Sequence, residues 1–103
     1  MNDAQYKVLV SADAVKMIDI HIAFLARNDL SAANELREEL ITKMINIADA
    51  PYLYPKFFSE SHEFEYRKIV YKQYIIIYSI EEANKTVHVK HIWYSWENNN
   101  LPV

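Results

Sequence analysis

A chain of 103 residues with a formal net charge of −3, no cysteine and no glycine is long enough to bury one core but not two. The missing cysteines exclude disulfides, a thiolate nucleophile and a zinc ribbon, and the missing glycines exclude phosphate loops and dinucleotide fingerprints, whose backbone must approach a ligand closely. Charge is unevenly spread: residues 66–96 hold Arg67, Lys68, Lys72, Lys85 and Lys90 against Glu81 and Glu82 alone, so this stretch is basic within an acidic chain.

Gln5 to Val10 is short, apolar and β-branched and predicts a strand; Ser11 then offers a hydroxyl to cap a helix. Ile18, Ile22 and Leu25, extended by Val15 and Ala14, put one apolar stripe on a helix from Ala12 to about Arg27. Asn28-Asp29-Leu30 breaks it. Ser31 is expected to cap a second helix, with Leu36, Leu40, Met44 and Ile47 on one side and Pro51 fixing its end, so the pair forms an αα-hairpin.

Residues 51–63 have no periodicity but four aromatics, which predicts a loop packed over the core. From Phe64 to Tyr71 the chain alternates, placing Phe64, Tyr66, Lys68 and Val70 on one face and Glu65, Arg67, Ile69 and Tyr71 on the other. Arg67 and Lys68 therefore point oppositely. A Lys72-Gln73 turn, a strand from Tyr74 to Ile80, a turn over Glu81 to Lys85 and a strand from Val87 to Ile92 complete an antiparallel meander rich in Val, Ile and Tyr. The expected architecture is α+β, with an N-terminal strand, an αα-hairpin and a three-stranded meander, the helices lying on one sheet face and the other left open for binding.

His88 and His91 stand three apart, on opposite faces of a regular strand, and with His21 and His62 they give no ligand spacing; neither a metal nor a cofactor is expected. The chain reads as one domain, 1–103, with a frayed tail over 98–103. Its start lacks a basic stretch followed by an apolar run, and no apolar run approaches a membrane span, so a cytoplasmic protein without membrane contact is expected.

The order of elements, the Tyr66-Arg67-Lys68-Ile69 strand, the strand ending in Tyr78-Ser79-Ile80 and the final Val-His-Val-Lys-His-Ile strand resemble the RelE/ParE superfamily of type II toxin–antitoxin toxins, known also as plasmid stabilisation toxins, from Tyr6 to about Glu97. Arg67 matches the family's strand arginine, which the resemblance implies faces a scissile phosphate. A planar guanidinium suits that role because it holds two phosphate oxygens and does not deprotonate. Its residue-level alternative is pairing with Glu65 or Glu63. At the C-terminus Tyr94 and Trp96 stand where the family has a histidine and a second arginine. Tyr94 becomes the candidate for proton transfer, which at a phenol pKa of about 10 needs a cationic neighbour, and His91 the second candidate. Lys68, Lys56 and Trp93 are candidates for holding phosphate or stacking on an exposed base; as ordinary side chains, the lysines are solvated and the tryptophan packs.

The resemblance implies two activities of different kinds. The first is ribosome-dependent mRNA cleavage by an endoribonuclease; the second is inhibition of DNA gyrase by binding without chemistry. A small interaction module with an aromatic face is the reading that needs no family. The resemblance further implies a cognate antitoxin in a hetero-oligomer, for which Leu30, the helix stripes and Phe57-Phe58 offer apolar surface.

Overall fold

The computed structural model describes residues 5–57 and 65–94. Five strands and two helices follow in the order β1 (Lys7–Val10), α1 (Ala12–Ala26), α2 (Leu30–Asn46), β2 (Lys56–Phe57), β3 (Tyr66–Tyr71), β4 (Tyr74–Glu81) and β5 (Thr86–Tyr94), with short 3-10 turns at Ile47–Asp49 and Glu82–Asn84. The sheet order is β1-β5-β4-β3-β2. β1 runs parallel to β5, and every other neighbouring pair is antiparallel. The expected meander is therefore the centre of a mixed sheet, flanked by the N-terminal strand on one side and by β2, within the expected loop, on the other. The strand expected from Phe64 is described from Tyr66, and Phe64, the tail 98–103 and Trp96 lie outside the described residues.

Local chemistry sets the boundaries. Ser11 ends β1 and starts α1: its Oγ accepts from Ala14 N at 3.0 Å and donates to Lys90 O at 2.7 Å, so one side chain ties the helix start to β5. Asp29, not Ser31, caps α2, accepting from Ala32 N at 2.9 Å. The carboxylate is the better acceptor for an orphan amide, and the first turn thereby begins at Leu30. With no glycine available, Lys72 and Lys85 take the positive φ values, 55° and 49°, that the two tight turns between strands require.

The core lies between the hairpin and one sheet face. Ala14, Ile18 and Ile22 of α1 and Ala33, Leu36, Leu40 and Met44 of α2 pack on Ile69, Tyr74, Ile76, Tyr78, Val87, Val89 and Ile92. The register alternates cleanly on β4, where Tyr74, Ile76 and Tyr78 face the helices and Ile75, Ile77 and Ser79 face away. On β5 it slips. Ile77 opposes His91 while Tyr78 opposes Val89, so Lys90 is the extra residue of a bulge. The bulge returns Ile92 and Tyr94 to the core side and puts His88 and His91 on the same outer face, against the expectation from a regular strand.

The outer face is not bare either. Ile77 keeps only 2% of its surface exposed, because it sits on the central strand in register between Lys68 and His91. His91 and Trp93 stack beside it with ring centroids 6.1 Å apart. Among the described residues no helix is long and apolar enough to cross a membrane.

Candidate functional site

Arg67 stands on β3 opposite Tyr78, on the core-facing side of the sheet but beyond the reach of the helices. There the irregular segment 51–55 covers it. Its Nη1 donates to Tyr54 O at 2.6 Å and, more weakly, to Tyr52 O at 3.4 Å, and its Nη2 donates to Glu65 Oε2 at 2.7 Å. The guanidinium carbon lies 5.2 Å from the centroid of the Tyr52 ring. Only 12% of the side chain is exposed, and Nε is buried with no hydrogen-bond partner. The pairing with Glu65 that the residues alone suggested is present, and two carbonyls are added to it.

The same end of the molecule carries a network around Glu82. Its carboxylate accepts from Tyr52 Oη at 2.6 Å and Tyr6 Oη at 2.8 Å, and pairs with Lys85. Lys85, then the two phenols, hold Glu82 at a pKa of about 2, and in return the bond to Glu82 pushes Tyr52 up to about 12. Lys56, opposite Arg67 on β2, shares Glu65 with it at 3.7 Å. Among the six candidates, these two are brought together by a common carboxylate.

Lys68, His91 and Trp93 form a second group on the outer face. Lys68 and His91 flank Ile77 in one row across three strands, with Cα atoms about 10 Å apart at the usual strand spacing. A cavity of about 330 Å³ opens between His91, Ile92 and Trp93 of β5 and Asp13, Lys16, Met17 and Ile20 of α1. Sequence reasoning missed the α1 side of this cleft, although Asp13, Lys16 and Ile20 occur at the spacing of one helix face.

Tyr94 belongs to neither group. It opposes Tyr74, four residues along β4 from the partner of Arg67, which puts it about 13 Å from Arg67 along the strand direction. Its ring lies 4.7 Å from that of His21 and 5.1 Å from that of Tyr74, and its hydroxyl donates to Gln73 Oε1 at 3.0 Å. With Ile20, Phe24 and Leu25 these rings line a cavity of about 270 Å³. Burial lowers the pKa of His21 and raises that of Tyr74, both shifts favouring neutral forms. The cation that a phenolate base requires is thus not supplied by His21. His21 entered the sequence argument only as a metal candidate; its place on the α1 stripe beside Ile18, Ile22 and Leu25 was the available signal. Among the described residues no cluster of three or more His, Asp or Glu is placed to hold a metal ion.

Two helices packed on one face of a mixed sheet, with an arginine on the strand before the central Tyr-Ile-Ile-Ile-Tyr run, define a two-layer α+β fold. The family model described as the ParE toxin of the type II toxin–antitoxin system parDE matches residues 8–98, and the chain belongs to that family. Among solved structures, the chromosomal ParDE toxin–antitoxin system from P. aeruginosa superposes with a TM-score of 0.72 at 8% identity, over 89% of this chain and 98% of that one. The isolated E. coli RelE toxin gives 0.59 at 18% identity over 86% of this chain and 83% of that one. The intact E. coli RelBE toxin–antitoxin complex gives 0.56 at 17% identity, with 86% and 95% covered. At these identities the superpositions establish the RelE/ParE fold. No curated protein matches the sequence.

Proposed function

We propose that the chain is a toxin that arrests growth by binding DNA gyrase, without RNA chemistry, and that a cognate antitoxin neutralises it. One observation carries the first part: the residues that RNA cleavage would have to combine are dispersed. Arg67 is engaged by Tyr54 O and Glu65, Tyr94 lies at the far end of the same face, and His91 lies on the other face. In-line cleavage through a 2′-hydroxyl needs base, acid and fixed positive charge around one phosphate, within hydrogen-bond reach of it. The ParE family match agrees with this order of readings, which reverses the expectation drawn from the resemblance, mRNA cleavage first and gyrase inhibition second.

The second reading, ribosome-dependent mRNA cleavage, is favoured by the outer row, where Lys68, His91 and Trp93 put an amine, an imidazole and an indole together. Such a site would use those three and not Arg67. For the antitoxin, the solved neighbours include toxin–antitoxin complexes. An apolar cleft of about 240 Å³ between β1, α1 and α2, lined by Val8, Val10, Val15, Ile18, Ile41 and Met44 among others, suits an apolar segment of such a partner. Leu30 is exposed, and Phe58 lies outside the described residues.

The deciding experiment is induced expression with primer extension on mRNA and plasmid topology read from the same cultures, followed by titration of the purified chain into a gyrase supercoiling reaction. Altered supercoiling with intact mRNA is expected, reversed by the co-expressed antitoxin. New ribosome-dependent mRNA ends with unchanged supercoiling would replace this reading with the second.

A further inference from the structure

The segment between α2 and β2 is irregular yet tightly held. Pro51 O accepts from the hydroxyl of Tyr78 at 2.6 Å, Tyr52 O and Tyr54 O accept from Arg67, and Pro55 O accepts from Lys68 N at 3.1 Å. Leu53 N closes a turn onto Ala50 O at 3.1 Å. Prolines at both ends restrict the backbone further. The Tyr52 side chain is itself fixed, its hydroxyl on Glu82 and its ring under the Arg67 guanidinium.

All this fixes a tip that points out of the molecule. Tyr52 is 51% exposed and Leu53 72% exposed. A single exposed leucine is ordinary. Here an aromatic and an aliphatic side chain are adjacent on a backbone already ordered, so little conformational entropy remains to be lost when something covers them.

Charge selects the kind of partner. Around the tip, Lys56 and Arg67 pair with Glu65, and Lys85 pairs with Glu82. The three cations share two carboxylates and every one of them is paired, which leaves an excess of one charge where a phosphate backbone recruits several. A neutral apolar centre ringed by ion pairs is the anatomy of a protein–protein contact.

We propose that the Tyr52-Leu53 turn, positioned by Arg67 and Glu82, is the surface through which the chain engages its protein target, inserting Leu53 into an apolar socket. This rests on the reading that the toxin acts by binding. Arg67 is then a positioning residue for the contact, its guanidinium held by Glu65 and the Tyr54 carbonyl.

The test compares Leu53→Ser with Val70→Thr, a control at an equally open position that is 62% exposed on the outer face. Growth arrest under graded induction, inhibition of purified gyrase and melting temperature are measured for each full chain. Leu53→Ser is expected to need at least about tenfold more protein for the same arrest while melting within about 4 °C of the parent, and Val70→Thr to match the parent. Undiminished arrest by Leu53→Ser, or equal loss in both variants, overturns the proposal. If the parent arrests growth without inhibiting gyrase and Leu53→Ser has lost arrest, the choice of gyrase fails and the tip stands, with another protein as its target. RNA cleavage undiminished by Leu53→Ser overturns both readings.

Discussion

Removing the Arg67 side chain separates a phosphate ligand from a structural clamp more sharply than any activity measurement. As a clamp it is 12% exposed and donates to Tyr54 O at 2.6 Å and to Glu65 at 2.7 Å. A hydrogen bond from a charged donor contributes about 1.5–3 kcal/mol, and the half-exposed Glu65 partner adds no more than about 1. Contact with the Tyr52 ring is worth about 0.5–1 kcal/mol at such a site. Against these stands the buried Nε, whose unmet desolvation cost of about 1–3 kcal/mol disappears with the side chain. The balance for Arg67→Ala is a loss of about 2 kcal/mol, or about 8–16 °C in melting temperature for a domain of this size. Arg67→Lys keeps the charge but not the fork that reaches carbonyl and carboxylate together, so it should recover less than half of the loss. Thermal melts at neutral pH, followed by urea titration for ΔG, measure both variants. A fall of less than about 3 °C for Arg67→Ala would refute the clamp and return the guanidinium to ligand binding, where functional residues typically contribute little to stability.

Tyr78→Phe should cost about 1–3 kcal/mol in urea denaturation, since the fully buried Tyr78 hydroxyl is the donor that satisfies Pro51 O. Glu82 has a folded pKa of about 2 against an ordinary 4.5; the stability this contributes is present above about pH 4.5 and lost as pH falls toward 2, and Glu82→Gln should flatten that limb of a stability–pH curve. Tyr52, raised from 10.0 to about 12 by its bond to Glu82, gives the opposite limb: its contribution is present below pH 10 and lost between pH 10 and 12, a loss that should vanish in Tyr52→Phe. His21 is held below its ordinary 6.5 by burial, so the folded state resists protonation; stability should decline as pH falls through 6.5, and His21→Gln should remove that decline in melts run from pH 7.5 to 5.

Why the sheet was legible and the site was not follows from how far each signal reaches along the chain. The central strands announce themselves locally: six of the eight residues of β4 are Tyr or Ile, and two polar residues separate it from β3. β1 pairs with a strand about 80 positions later and is four residues long, so its parallel register on β5 is written in no local pattern. β2 has two residues and exists only because β3 offers an edge. The bulge was written in the sequence: apolar residues at 87, 89 and 92 break the period of two, and the extra position is Lys90. Reading that spacing would have put His88 and His91 on one face. The alternation of β3 likewise placed Arg67 with Ile69 and Tyr71, two residues that belong to the core side, and what covers that end is segment 51–55, whose aperiodic sequence gives no direction.

The two faces of the sheet therefore make separable demands on RNA chemistry. For Arg67 to meet a phosphate, segment 51–55 would have to leave the sheet, giving up the bond from Tyr78 to Pro51 O and the bond from Lys68 N to Pro55 O as well as its own contacts. At about 1 kcal/mol for each ordinary hydrogen bond, that opening consumes a large share of the stability of a domain with about 5–15 kcal/mol in total. The outer row needs no such rearrangement. His91 is exposed, and its neighbour in the row is already in place. His91→Ala should consequently leave the melting temperature within about 4 °C of the parent, since the exposed ring gives up, among the described residues, its stacking on Trp93. If the chain acts on gyrase through the Tyr52-Leu53 turn, held by Arg67 on the sheet face opposite to that of His91, growth arrest by His91→Ala is also unchanged. Arrest abolished in His91→Ala, with the melt intact and Leu53→Ser still fully toxic, would put the working surface on the outer row, and new mRNA ends made by the parent but not by His91→Ala would make RNA the substrate.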